Sequence, residues 1–166
     1  MLYPFSRFAK SEIQAREAKI EAALERVRSR TMAMHRSDEL LDASQLFFLQ
    51  IRELGETVVQ ASIAIVNEAS GFVELSSSIY GEHLPRTLNV PIDDKYVMAK
   101  GVTAWKAKQK SLTLEFSGQE LKDYNALRNS FLEKKVNFPE DHWIVNLSFF
   151  SKDGFRFLLI NMNHRK

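Results

Sequence analysis

Two runs near the end of the chain, Trp143 to Phe150 and Phe155 to Met162, constrain the fold more than any other segment. They flank Lys152-Asp153-Gly154, and Asp-Gly between apolar runs signals a tight hairpin turn. Each run is apolar on both faces. Val145, Leu147 and Phe149 alternate with Ile144 and Phe150, and Phe155, Phe157 and Leu159 alternate with Leu158, Ile160 and Met162. A sheet wet on one side alternates apolar with polar instead. The pair is therefore expected at the centre of a sheet with helices on both faces, one set from the first helices and the other from residues 94–135.

The rest of the chain supplies partners for that sheet. Val58 to Asn67 alternates as a strand, with Val59, Ala61, Ile63 and Ile65 on one face. The turn residues Asn67-Glu68-Ala69-Ser70-Gly71 lead into a returning strand, Phe72 to Tyr80, carrying Val73, Leu75 and Ile79 on one face. Arg86 to Pro91 and Ser111 to Phe116 read as short strands. Helices are expected over 38–54, ending at Gly55, over 94–108, and over 119–135 with the stripe Leu121, Tyr124, Leu127 and Phe131. Ser37-Asp38-Glu39 offers an N-cap and first-turn acids for the first of these. A helix running through Ser37 with a kink reads equally well. Asp93-Asp94 is expected to cap the second. The expected class is α+β, with a mainly antiparallel sheet.

A long helix precedes this domain. Between Ser11 and His35 there is no Gly or Pro, and Ala, Glu, Arg and Lys dominate. Its apolar residues Ile13, Ile20, Leu24, Val27 and Met34, with Thr31 in register, recur from Ile20 on at alternating steps of four and three. That spacing makes a coiled-coil seam, interrupted at Glu17, and too narrow for an ordinary core face. A parallel homodimer through this helix is the favoured expectation; packing along its own domain is the other. The chain accordingly divides into a linker helix, 1–36, and a domain, 37–166.

Several classes of function find no support in the sequence. There is no cysteine, which excludes disulfides, thiolate metal sites, a cysteine nucleophile and a thioether-linked chromophore. Its absence fits a reducing, cytoplasmic setting. The formal net charge of +2 gives no basic face for nucleic acid. No apolar run is long enough for a membrane span, and the first eight residues are too short and mixed for a secretory signal. The sequon Asn146-Leu147-Ser148 falls inside a strand pattern and is discounted. His35, His83, His142 and His164 lack metal-ligand spacing, and no nucleophile elbow, phosphate loop or dinucleotide fingerprint occurs. No metal, no cofactor and no catalytic activity are expected.

The aromatic residues Tyr96, Trp105, Phe116, Tyr124, Phe131 and Trp143 cluster in or beside the middle segment. Aromatic stripes usually fill a solid core. If the middle segment covers one sheet face, the same residues could line a small-molecule cavity, because pockets are mostly apolar with a few polar groups.

The run from Glu17 to His35, EAKIEAALERVRSRTMAMH, followed by Ser37-Asp38-Glu39-Leu40, resembles the linker helix and first domain helix of GAF-like sensor domains. The order of helix, hairpin, mixed middle segment and terminal hairpin is similar too, so the resemblance covers most of the chain. Such domains recur in multidomain bacterial signalling proteins, many of them histidine kinases. The resemblance implies a non-catalytic sensory module that binds a small molecule and relays its state through a dimeric helix. A ligand-free dimerisation scaffold is the alternative. Two departures qualify it. The usual C-terminal exit helix has no counterpart after Met162, which suggests an excised piece or a shortened copy; Phe5 to Lys10 looks like the tail of an exit helix from a preceding repeat. The Asn-Lys-x-Phe-x-Asp-Glu pattern of cyclic-nucleotide-binding members and the bilin-attaching cysteine are both missing, so the family does not name the ligand.

Overall fold

A computed structural model describes residues 4–34, 39–55, 58–84, 86–152 and 155–164. In chain order the elements are α1 (Pro4–Met32), α2 (Leu40–Glu53), β1 (Val58–Asn67), β2 (Phe72–Ile79), β3 (Glu82–His83), β4 (Leu88–Pro91), α3 (Met98–Lys106), β5 (Ser111–Ser117), α4 (Gly118–Ser130), β6 (His142–Lys152) and β7 (Phe155–His164). The strands form one sheet in the order β3-β2-β1-β7-β6-β5, with β4 also paired to β2. Every pairing is antiparallel. The class is α+β, as the alternation predicts.

The two expected hairpins are present. In the first, Ile63 faces Ser76 and Asn67 faces Phe72. In the second, Trp143 faces His164 and Lys152 faces Phe155. The turn residues Asp153 and Gly154 lie outside the described residues, as do Ser37 and Asp38 of the expected helix cap. Glu39, at the cap position of α2, makes no side-chain cap hydrogen bond. That helix ends where expected, with Gly55 at φ +79°, a left-handed conformation that glycine adopts without a Cβ clash.

The apolar residues divide into two clusters, one on each sheet face. Ala61, Ile63 and Phe150 pack with Val27 of α1 and with Leu40, Ala43, Phe47, Phe48 and Ile51 of α2. The opposite face carries Val73, Leu75, Ile79, Val145, Leu147, Ile160 and Met162, which pack with Met98 of α3 and with Leu121 and Tyr124 of α4. Val59 joins this second cluster rather than that of Ala61 and Ile63, next to a register shift between Val58 and Gln60 against β7. Small side chains let α2 approach the sheet closely: Ser44 Oγ lies 3.1 Å from Ser76 Oγ, and both residues are buried.

Three sequence expectations need correction. Helix 94–108 is shorter, beginning at Met98, because Asp94 and the turn after it serve as its lead-in. Helix 119–135 stops at Ser130, and the chain continues without regular structure to the start of β6. The helical cover is also uneven. On the first-helix side α2 packs on β1 and β2, so Ile144, Asn146 and Ser148 of β6 are only half-buried there.

The first helix is divided along its length. Val27 is fully buried and Thr31, also buried, donates from Oγ1 to the Val27 carbonyl at 2.8 Å. Arg26 Nη1 donates to Gln50 Oε1 of α2 at 2.5 Å, and Arg28 lies over the Phe150 ring at 5.9 Å. Met34 packs half-buried in the same cluster. Toward the N-terminus Ile20 and Leu24 are half-buried, while Ile13 is 57% and Phe8 70% exposed. Of the expected seam, Val27 and Thr31 are taken up by the domain itself because α2 lies alongside them. Leu24 also packs against the cluster that holds Val27, whereas Ile13 is left exposed.

Candidate functional site

The face of the sheet opposite α2 carries a polar strip on β1 and β2. Alternation places Gln60 and Ser62 on the same face as Ser77, which sits across from Ser62 in register. Ser62 Oγ and Ser77 Oγ lie 2.6 Å apart, and Gln60 Nε2 donates to both hydroxyls, at 3.2 and 3.3 Å. All three residues are buried. Buried polar groups are normally fully hydrogen-bonded, and this strip obeys that rule by drawing on a residue from α4.

That residue is Arg128. Residues 121, 124, 125 and 128 share the inward face of α4, so the helix carries Leu121, Tyr124, Asn125 and Arg128 into the interior. Arg128 is 8% exposed. Its Nη2 donates to Gln60 Oε1, and its Nη1 donates to Asn125 Oδ1 at 3.1 Å. Three aromatic rings surround the guanidinium: Phe138 at 3.5 Å from ring centroid to Cζ, Trp143 at 4.8 Å and Tyr124 at 5.4 Å. The ring faces are negative, which offsets part of the lost hydration of the cation. Asn125 Nδ2 and Trp143 Nε1 both donate to the Pro139 carbonyl and hold the 131–141 segment over the site.

The guanidinium has no counter-ion among the described residues. Its Nε–H is buried without an acceptor among them. The nearby acid, Asp94, is committed elsewhere. Its Oδ1 accepts from the amides of Tyr96 and Val97, both at 2.8 Å, and its Oδ2 from that of Met98 at 3.1 Å. Burial pushes the Arg128 pKa down to about 10, against the opposing pull of Tyr124 and Tyr80. At neutral pH it is still a cation. Burial raises the Tyr124 phenol well above its usual value; Arg128 opposes that rise and Asp94 adds to it.

Arg128 lines a small cavity of about 40 Å³. Gln60, Ser62 and Asp94 contribute the other polar wall, and Leu75, Ile79, Leu88, Val90, Met98, Phe131, Ile160 and Met162 belong to the apolar one. Four of its residues, Ile79, Leu88, Phe131 and Leu132, also line an adjoining surface groove of about 490 Å³. The two sides of the groove are tied together by Arg86 and Glu133, paired at 2.7 Å, and by Tyr80, whose hydroxyl donates to the Asn137 carbonyl at 3.2 Å.

The six aromatics named from the sequence are distributed around this site unequally. Tyr124 and Phe131 line the cavity, and Trp143 stacks over Arg128. Tyr96 and Phe116 back Tyr124, with ring centroids at 5.4 and 5.1 Å. Trp105 is elsewhere: it lines an open depression with Lys106, Lys110 and Phe149. The polar half of the site was not apparent in the sequence. Its signal was a charged residue two helical turns after Leu121, where the 3.6-residue period demands a core side chain. Among the described residues no three His, Asp or Glu side chains gather as a metal site, and no helix is long and apolar enough to cross a membrane. No protein-family profile, curated protein sequence or solved structure matches this chain.

Proposed function

We propose that this chain is a non-catalytic, GAF-like regulatory module that binds a small molecule between the sheet and the α3–α4 layer and passes its state to α1 in a homodimer. The observation that carries this reading is the Arg128 cavity. A cation withdrawn from water without a counter-ion costs free energy, and such a cost persists in a fold most readily where a ligand repays it. The projecting first half of α1 supports the relay. A helix with Ile13 and Phe8 exposed and Val27 locked into the core can transmit a domain rearrangement to a paired copy. The GAF resemblance implies an antiparallel sheet between helical layers, and the present fold agrees with that architecture at this coarse level. A bacterial signalling setting in the cytoplasm, with a kinase or other output domain beyond this chain, belongs to the same proposal.

The competing reading is a ligand-free dimerisation scaffold. The small volume of the cavity favours it. One experiment separates the two. A spin label attached at Ala15→Cys, the sole cysteine in the chain, reports the distance between protomers by pulsed electron resonance. A library of small molecules is then screened for a rise in melting temperature. The proposal expects a dimer distance that shifts or narrows with any stabilising compound. A measurable distance that no stabilising compound alters supports the scaffold, and a monomeric chain removes the relay altogether.

A further inference from the structure

We infer that the ligand of the Arg128 cavity is an aliphatic monocarboxylate, its carboxylate paired with the guanidinium and its chain directed between Leu88 and Phe131 into the outer groove. This rests on the proposal that the domain binds a small molecule, and it specifies the chemistry of that molecule.

Four observations lead to it. First, Arg128 is a buried cation with an unfilled Nε–H donor and no carboxylate of its own among the described residues. The group that satisfies both deficits is an anion that accepts hydrogen bonds, and a carboxylate matches the planar guanidinium fork. Second, Arg128 is the one cation among the described residues lining the cavity; Gln60 and Ser62 are neutral, and the Asp94 carboxylate is occupied by the amides of Tyr96, Val97 and Met98. Gln60, Ser62, Ser77 and Asn125 can orient one carboxylate but supply no further positive charge. A phosphate or a dicarboxylate would carry a second charge with no cation to meet it, at a large desolvation cost. Third, apart from Asp94 the remaining wall is aliphatic and aromatic, which suits a hydrocarbon chain. Fourth, the inner cavity matches the headgroup alone. At about 40 Å³ it holds roughly three water-sized groups, the size of a carboxylate. The 490 Å³ groove adjoins the cavity across the four apolar residues the two share, and the chain is placed past them. The length of the chain is then limited by the groove, whose two sides are held by Arg86–Glu133 and Tyr80–Asn137.

The probe is hexanoate, titrated into the full chain by calorimetry and by Trp143 fluorescence, with hexanamide and 1-hexanol as uncharged analogues. Acetate and octanoate bracket the chain length. Hexanoate is expected to bind at least tenfold more tightly than either uncharged analogue, to bind more tightly than acetate, and to raise the melting temperature. Arg128→Met should remove the preference for hexanoate over hexanamide. Leu88→Phe leaves Arg128 untouched and narrows the route outward; it should weaken hexanoate at least tenfold while acetate binding changes little. This second variant keeps the test decisive if Arg128→Met does not fold. Equal binding of hexanoate and hexanamide overturns the inference but leaves a small-molecule module standing. Hexanoate binding that both variants leave unchanged overturns this site. Failure of the charged and the uncharged probes alike, together with failure of the library screen to find any stabilising compound, removes both proposals.

Discussion

Replacing Asp94 by alanine isolates one carboxylate that holds the lead-in to α3. Its two oxygens accept from the amides of Tyr96, Val97 and Met98, the last of which is the first residue of α3 and one of the donors a helix start leaves without partners. Tyr96, Val97 and Met98 are all buried, so water is a poor substitute. Loss of an ordinary cap costs about 0.5–2 kcal/mol, and each unsatisfied buried donor about 1–3 kcal/mol if nothing relaxes. Partial rearrangement of the 95–97 turn limits the sum, and the expected loss is about 2 kcal/mol. For a urea dependence of about 2 kcal/mol per molar, the unfolding midpoint should fall by about 1 M with an unchanged slope. Asp94→Asn keeps one acceptor oxygen, able to serve Tyr96 and Val97, and should lose about half as much. Urea titrations followed by far-ultraviolet circular dichroism measure all three chains. An alanine variant within 0.3 M of the parent would refute this account of the cap, and so would an asparagine variant as weak as alanine.

Two other substitutions test the division of α1. Val27→Asp places an unpaired carboxylate in the core and should cost about 3 kcal/mol or more, whereas Ile13→Asp should cost under about 0.5 kcal/mol. Light scattering should then show Ile13→Asp to be the one that weakens the dimer without loss of fold; equal loss of stability in both would contradict the burial pattern. The Tyr124 phenol, raised by burial, should stay protonated while exposed tyrosines ionise, so Tyr124→Phe should leave the native absorbance change at 295 nm near pH 10 unaltered. Because its folded pKa lies above the unfolded one, its contribution to stability is complete below about pH 10 and declines as the pH rises further.

What the sequence disclosed and what it withheld have a common physical origin. Periodicity reports which face of an element is buried, so the hairpins 58–80 and 143–162 and the stripe through Leu121 and Tyr124 were legible. It does not report which element covers that face. Val27 therefore fitted a seam with a second chain as well as it fitted a groove beside α2. Composition likewise treats Ser76, Ser77 and Ser78 as polar, yet all three are fully buried; the Ser76 hydroxyl meets Ser44 of α2 and the Ser77 hydroxyl meets Ser62 across the sheet. Arg128 escaped notice for the same reason. A charged residue on a helix is normally solvated, and only its convergence with Gln60 from a distant strand gives it another role.

The centre of the sheet joins β1 to β7, with Ile63 facing Leu159, although nearly the whole domain lies between them along the chain. A pairing so distant in sequence is slow to find, since a long loop must close before its hydrogen bonds form. On the ribosome, α1, α2, β1 and β2 emerge ahead of the later strands and can assemble as a local unit. The β1 edge that will receive β7 then stays open until β7 itself leaves the exit tunnel. For that interval the nascent chain presents a bare strand edge, the feature most prone to capture by another chain. Truncations that stop before Phe155 should therefore aggregate.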